Sequence, residues 1–216
     1  DGKVIGWGDE EFGQTNSPVS ATNVAAIAAG YAHNLALRAD GTVIAWGWNE
    51  FSQTNVPASA HHAVALAAGG GHNLALRPDG SVVAWGLGST NAGAEYDYGQ
   101  AIVPADTTNV VGLAAGLFHS LALVADGTVI GWGAGTFVGG PDDEDNFGQV
   151  IIPPSATNMG AIAAGFYHSL AMRSDGTVLG WGNNEYGQIN VPAGLNVLDQ
   201  PFTTSGMTSR PVSTVL

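Results

Sequence analysis

Residues 163–182 read Ala-Ala-Gly-Phe-Tyr-His-Ser-Leu-Ala-Met-Arg-Ser-Asp-Gly-Thr-Val-Leu-Gly-Trp-Gly. Two blocks are joined in this stretch, and both recur. Asp-Gly-x-Val-x-x-Trp-Gly begins at Asp1, Asp40, Asp79, Asp126 and Asp175. Ala-Ala-Gly-x-x-His-x-Leu-Ala-Leu/Met occupies Ala28 to Leu37, Ala67 to Leu76, Ala114 to Leu123 and Ala163 to Met172. The Asp-Gly copies lie 39, 39, 47 and 49 residues apart, a period typical of solenoids and propellers.

Each unit reads as β. Segments such as 23–28, 34–38 and 42–46 are short, apolar and bounded by Gly, Pro, Asn and Asp, and no window long enough for a helix keeps an i, i+3, i+4, i+7 pattern. Asp-Gly supplies the positive φ of a tight hairpin, so the strands on either side of it should pair antiparallel. Three strands per repeat then alternate in direction. The Ala-Ala-Gly-x-x-His loops and the loops after Trp-Gly share one end, here called upper, and the Asp-Gly turns share the other. The expected fold is all-β, a β-propeller or open propeller-like array of about five three-stranded blades over residues 1–192. A Thr/Ser-rich tail at 193–216 follows, whose segment 211–216 could supply a closing or donor strand.

The unequal periods have one source. Trp to Gln spans seven residues in Trp7–Gln14, Trp46–Gln53 and Trp181–Gln188, but fifteen in Trp85–Gln100 and seventeen in Trp132–Gln149. All the extra length sits in the upper loops of two adjacent repeats, the arrangement expected of a binding face.

Five basic against 18 acidic side chains leave a net charge of −13. A chain so poor in cations cannot replace the counterions of a phosphate backbone, so nucleic acid is not an expected partner. The 45% hydrophobic content is ample for one core. No apolar run approaches the roughly 18 residues of a membrane helix, so membrane insertion is not expected. The chain is cysteine-free and has one lysine, Lys3, which fits an extracellular or periplasmic setting. It begins at Asp1, inside a repeat, as a processed or truncated product would.

The ordered set Ala-Ala-Gly-x-x-His-Ser-Leu-Ala, Asp-Gly-Thr-Val-x-x-Trp-Gly, Asn-x-x-Gly-Gln and Val-Pro, complete in Ala163 to Pro192, resembles the regulator-of-chromosome-condensation repeat family. Its short period is most similar to the bacterial branch that includes the propeller-type β-lactamase inhibitor protein. The resemblance implies three-stranded blades in a ring, and a protein partner. It departs from that branch in having four complete repeats and one partial one. The long loops that carry activity in the family's eukaryotic exchange factors are not identifiable in it.

Trp7, Trp46, Trp85, Trp132 and Trp181 occupy one repeat position and read as core residues between sheets. His33, His72, His119 and His168 read as structural groups at a strand start, because a reaction needs different residues converging and not one residue copied around a ring. Identical Asp turns on separate blades offer no acid and base to one substrate. Asp142, Asp143, Glu144 and Asp145 carry hard oxygen donors suited to calcium, yet lack the alternating spacing and Gly of a calcium loop. They read as a solvated acidic loop, and no cofactor is expected. The aromatic residues of the upper loops, Tyr31, Trp48, Tyr96, Tyr98, Phe118, Phe137, Phe147 and Tyr167, are the candidate binding set, since large rigid side chains with polar rims make protein interfaces. Several of them can equally serve to close the blade ends. The function expected from the residues is therefore non-enzymatic: a scaffold that binds another protein through its upper loops. The alternatives are a self-assembling structural subunit and, third, a propeller enzyme acting on glycans.

Overall fold

The computed structural model describes residues 2–90, 95–136 and 145–197. Within them the chain forms four sheets, each of three antiparallel strands in sequence order. Blade I contains β1 (Val24–Ala29), β2 (His33–Arg38) and β3 (Val43–Gly47), and blade II contains β4 (Ala65–Ala68), β5 (His72–Leu76) and β6 (Val82–Gly86). Blade III contains β7 (Val110–Ala115), β8 (His119–Val124) and β9 (Val129–Gly133), and blade IV contains β10 (Met159–Ala164), β11 (His168–Arg173) and β12 (Val178–Gly182). The register is copied from blade to blade, with His33 opposite Gly47, His72 opposite Gly86, His119 opposite Gly133 and His168 opposite Gly182.

The hairpins turn where the Asp-Gly pairs place them. Gly41, Gly80, Gly127 and Gly176 hold φ of +82°, +79°, +85° and +86°, a conformation that a side chain would strain. Asp40 Oδ1 accepts the Thr42 N–H at 2.9 Å, and Asp79, Asp126 and Asp175 do the same for residues 81, 128 and 177. These hydrogen bonds favour the charged form. The backbone N–H of Thr42 is the main reason the Asp40 carboxyl sits below the usual carboxylate range.

Blades pack face to face through apolar side chains. Leu35, Leu37 and Val43 of blade I meet Leu66, Ala75 and Trp85 of blade II. Leu74 and Leu76 meet Val110, Ala122 and Trp132. Leu121, Leu123 and Val129 meet Met159, Ala171 and Trp181. Each interface thus receives the tryptophan of the following blade, and Trp85, Trp132 and Trp181 are each only 6% exposed.

The reading of all five repeat tryptophans as core needs one correction. Trp7 is 86% exposed, and Ile5 beside it is 79% exposed. A tryptophan at this position is covered by the sheet of its own blade and the face of the blade before. Residues 2–8, the partial repeat, form no strand, so Trp7 has neither. Trp46, which has its own blade but no complete one before it, is half-buried.

A second link between blades is polar. The indole N–H groups of Trp46, Trp85, Trp132 and Trp181 donate to the main-chain carbonyls of Gln14, Gln53, Gln100 and Gln149 at 2.8–3.0 Å. The side chain that follows each repeat histidine, Asn34, Asn73, Ser120 or Ser169, donates to the same carbonyl at 2.7–2.8 Å. Asn73, Ser120 and Ser169 also meet the Nε2 atoms of His33, His72 and His119 from the preceding blade, at 2.7, 2.9 and 3.1 Å. Because each serine hydroxyl has its only proton on a glutamine carbonyl, the histidine must donate, and the ring is the neutral Nε2–H tautomer. Burial agrees, pushing His72 and His119 down to about 3. The rings are closely wrapped: a Cβ at Gly69 or Gly116, in the Ala-Ala-Gly turns, would collide with His72 or His119. His33, His72 and His119 thus link neighbouring blades, whereas His168, in the last blade, is half-buried.

Two outcomes follow. Trp85→Ala should cost about 3–5 kcal/mol in a denaturant titration, as loss of a buried aromatic does, whereas Trp7→Ala should change stability by less than about 0.5 kcal/mol. Stability should also fall on acidification. The folded-state pKa of His72 and His119 is below the ordinary 6.5, so the unfolded chain binds more protons in the window from 6.5 down to about 3. The stabilisation is fully present above pH 6.5 and is lost as pH falls through that window, at up to about 1.4 kcal/mol per pH unit for each ring. Urea midpoints measured from pH 7.5 to 4 check the sign.

Candidate functional site

The hairpin directions bring two kinds of loop to one end of the array, as the sequence suggested. The first residue after each Trp-Gly is tied to the His loop of its own blade: Trp48, Leu87, Ala134 and Asn183 donate their N–H to the carbonyls of Ala32, Gly71, Phe118 and Tyr167 at 2.8–2.9 Å. The His loops are in turn tied to each other around the array. Tyr31 N–H donates to Gly69, Gly70 to Gly116 and Leu117 to Phe166, at 3.0–3.2 Å. The upper end is therefore a braced surface.

The candidate aromatic residues divide by depth on this surface. Phe118 is 9% exposed and forms the floor with Leu87 and Ala134, against which Phe51, Tyr98 and Tyr167 pack. It was expected among the contact residues, but it is covered by Tyr96, whose ring stacks on it at 5.2 Å and 10°. Tyr98 lies beside Phe118 at 5.7 Å and donates its hydroxyl to Asp145 Oδ2 at 2.6 Å, which joins the two longer loops. Phe147 packs on Tyr167 at 5.4 Å. Trp48 is half-buried between Phe12 and Phe51, at 5.9 and 5.0 Å. Tyr96 and Tyr31, at 43% and 68% exposed, remain as accessible members of the set. Phe137, Asp142, Asp143 and Glu144 lie outside the described residues. Asp145 is half-buried and engaged with Tyr98. Among the described residues no group of three or more His, Asp or Glu is placed to hold a metal ion.

Two features of this end escaped the sequence reading. The first is Phe166, 57% exposed, whose ring meets Tyr31 edge-on at 6.4 Å, so blade IV and blade I touch across the upper mouth of the central space. Tyr167, at 6.4 Å from both Phe166 and Phe118, connects this contact to the rest of the aromatic surface. The second is the glutamine already met as a carbonyl acceptor. Gln53, Gln100 and Gln149 are fully buried, and each side-chain Oε1 accepts the N–H of the aromatic residue two places before it, Phe51, Tyr98 or Phe147, at 2.8 Å. The signal for it was present in the recurring aromatic-Gly/Ser-Gln triplet. In four of the five copies an acid stands directly before the aromatic, as in Glu11-Phe12, Glu50-Phe51, Asp97-Tyr98 and Glu185-Tyr186, and in the remaining copy Asp145 stands two places before Phe147.

The inner strands β1, β4, β7 and β10 surround a central cavity of about 670 Å³. Its wall is made of small and aliphatic residues such as Ala26, Val64, Val111 and Gly160, with Tyr31 and Phe166 at the upper mouth. Among the described residues that line it, none carries a formal charge.

Four three-stranded antiparallel sheets packed in sequence order around a shared cavity define a propeller-type repeat protein. The chain belongs to the family of the Regulator of chromosome condensation (RCC1) repeat, whose model matches residues 24–53, 63–91, 110–137 and 161–188. Among solved structures it is similar to Prp20p from Saccharomyces cerevisiae, at 27% identity and a TM-score of 0.55 over 74% of this chain and 45% of that one. It shares its fold with human WBSCR16, at 22% identity and a TM-score of 0.58 over 78% of this chain and 50% of that one. The ectodomain of the Physcomitrella patens receptor kinase CR4 also shares it, at 22% identity and a TM-score of 0.63 over 86% and 48%. The chain thus spans about half the length of these structures. No curated protein sequence matches it significantly.

The division by depth is testable. Phe118→Ala should cost about 3–5 kcal/mol, because it opens the floor, while Tyr31→Ala should stay within about 0.5 kcal/mol of the unaltered chain. Thermal unfolding of the two variants side by side checks it.

Proposed function

We propose that this chain is a non-enzymatic binding module that recognises another protein through its upper end. The observation that carries the reading is the braced aromatic surface, in which buried Phe118 supports exposed Tyr96 and the Phe166–Tyr31 contact spans the mouth. Exposed aromatic side chains on a rigid base bind with little loss of side-chain entropy, which is the anatomy of an interface hot spot. Prp20p, the similar yeast protein, has binding properties to Gsp1p and histones, which supports a protein-binding role for the repeat. The acidic, cysteine-free composition supports an extracellular or periplasmic setting for the module.

Affinity selection tests this reading. A phage-displayed library of random 15-residue peptides is panned on the immobilised chain, with the Tyr31→Ala/Tyr96→Ala variant as comparison. Enriched clones should bind the unaltered chain at least about tenfold more tightly than the variant, a hot-spot-sized loss. Clones that bind both equally would place recognition elsewhere.

A second reading, self-association, is supported by one observation. Ile5 and Trp7 of the partial repeat, Ile27 of β1 and Tyr186 after β12 are exposed large apolar side chains near the two ends of the array. Two such surfaces on one molecule make a heterologous contact between copies, which either closes or propagates. Sedimentation velocity over a hundredfold range of concentration, with Trp7→Ala as control, separates the readings. A mass that grows with concentration and is reduced by the substitution supports self-association.

A further inference from the structure

We infer that the segment captured at the upper end is a cationic, apolar polypeptide, one in which Lys or Arg residues flank a large aliphatic or aromatic side chain. The inference rests on the binding-module reading and names its partner class.

The central cavity suits an apolar side chain. At about 670 Å³ it is large enough for a bulky side chain with its neighbouring backbone, and the described residues of its wall carry no charge. Tyr31 and Phe166 stand at its upper mouth, both more than half exposed, and Leu117, at the same loop position of blade III, is held by main-chain hydrogen bonds to its neighbours. An apolar side chain entering here leaves water for a preformed apolar surface. A charged one would be desolvated without a partner.

Carboxylates are paired with aromatics around the same end. Glu11, Glu50 and Glu185 are exposed and stand next to Phe12, Phe51 and Tyr186, and Asp97 stands between Tyr96 and Tyr98. The loops that make the upper end contain no Lys or Arg at all. The repeat arginines, Arg38, Arg77 and Arg173, all precede the Asp-Gly turns, and Arg38 is paired with Asp40 at 3.4 Å. Among the described residues the arginines therefore sit at the turn end, while the aromatic end carries acidic side chains. A guanidinium or ammonium group placed there meets a carboxylate and a ring face together, which favours it twice. An acidic segment would meet only like charge.

Three 12-residue peptides test the assignment by fluorescence anisotropy at about physiological salt. The first alternates Arg with Leu and Phe, the second has Glu in place of every Arg, and the third has Ser in place of every Leu and Phe. The first alone should bind. Its Kd should rise at least about tenfold with Tyr31→Ala/Phe166→Ala, and by a similar factor with Glu11→Gln/Glu50→Gln, the size of change expected from losing an anchor or a pair of facing charges. All four positions are exposed or half-exposed, and unchanged thermal midpoints confirm that the variants are folded. Equal binding of the first and third peptides would show charge attraction without use of the cavity mouth and overturn the inference, as would tight binding of the Glu peptide. If none of the three binds while library clones still require Tyr31 and Tyr96, the partner class is wrong and the binding module stands. If neither peptides nor clones depend on the upper end, both fall.

Discussion

One main-chain carbonyl per repeat holds the array together. The carbonyl of Gln53, Gln100 or Gln149 lies in the upper loop of one blade and accepts both the indole N–H and the Asn or Ser side chain of the next. The same glutamine closes its own loop by accepting a backbone N–H through its side chain. The glutamines, the indoles and the Asn or Ser side chains are buried, so a missing partner among them would leave an unsatisfied polar atom away from water. Blade order, loop shape and interface are therefore settled at a single position.

That constraint explains why the upper loops can vary in length without loosening. Eight and ten extra residues enter between Trp85 and Gln100 and between Trp132 and Gln149, yet both glutamines reach the same two donors on the following blade as Gln53 does. Length is absorbed outside the hub. The aromatic residue two places before each glutamine is held by its backbone, so Phe51, Tyr98 and Phe147 all project over the next blade's His loop. The binding surface is a by-product of the device that joins the blades. It also explains the buried histidines, whose Nε2–H completes the Asn or Ser that serves the carbonyl.

Much of the fold was legible because the repeat announces its own period. The Asp-Gly turns fixed the hairpins, the alternation of strand directions placed both variable loops at one end, and the strand limits fell within about a residue of the segments read from the sequence. Trp7 was misread because its motif is complete while its surroundings are not. Burial of that indole depends on two sheets that residues 2–8 do not bring with them, and a local motif cannot report the absence of a distant neighbour. The site was legible only in outline. Tyr31 and Tyr96 could be proposed as exposed aromatics, but the depth of Phe118 depends on Tyr96 folding back over it, and the meeting of Phe166 with Tyr31 spans 135 positions of sequence. Neither contact has a local signature. The glutamine hub did have one, in the recurring aromatic-Gly/Ser-Gln triplet, and its meaning emerged only with the three-dimensional partners.

The central claim is that blades are coupled through the histidine, the Asn or Ser and the glutamine carbonyl, and a double-mutant cycle on His119 and Ser169 tests it most directly. Their side chains meet at 3.1 Å across the interface of blades III and IV. His119→Ala, Ser169→Ala and the double variant are compared by urea unfolding at pH 7.5. The account predicts that the two losses are not additive, with a coupling of about 1 kcal/mol or more, because each substitution removes a partner that the other needs. Additivity within about 0.3 kcal/mol would mean the two residues act independently and would contradict the account.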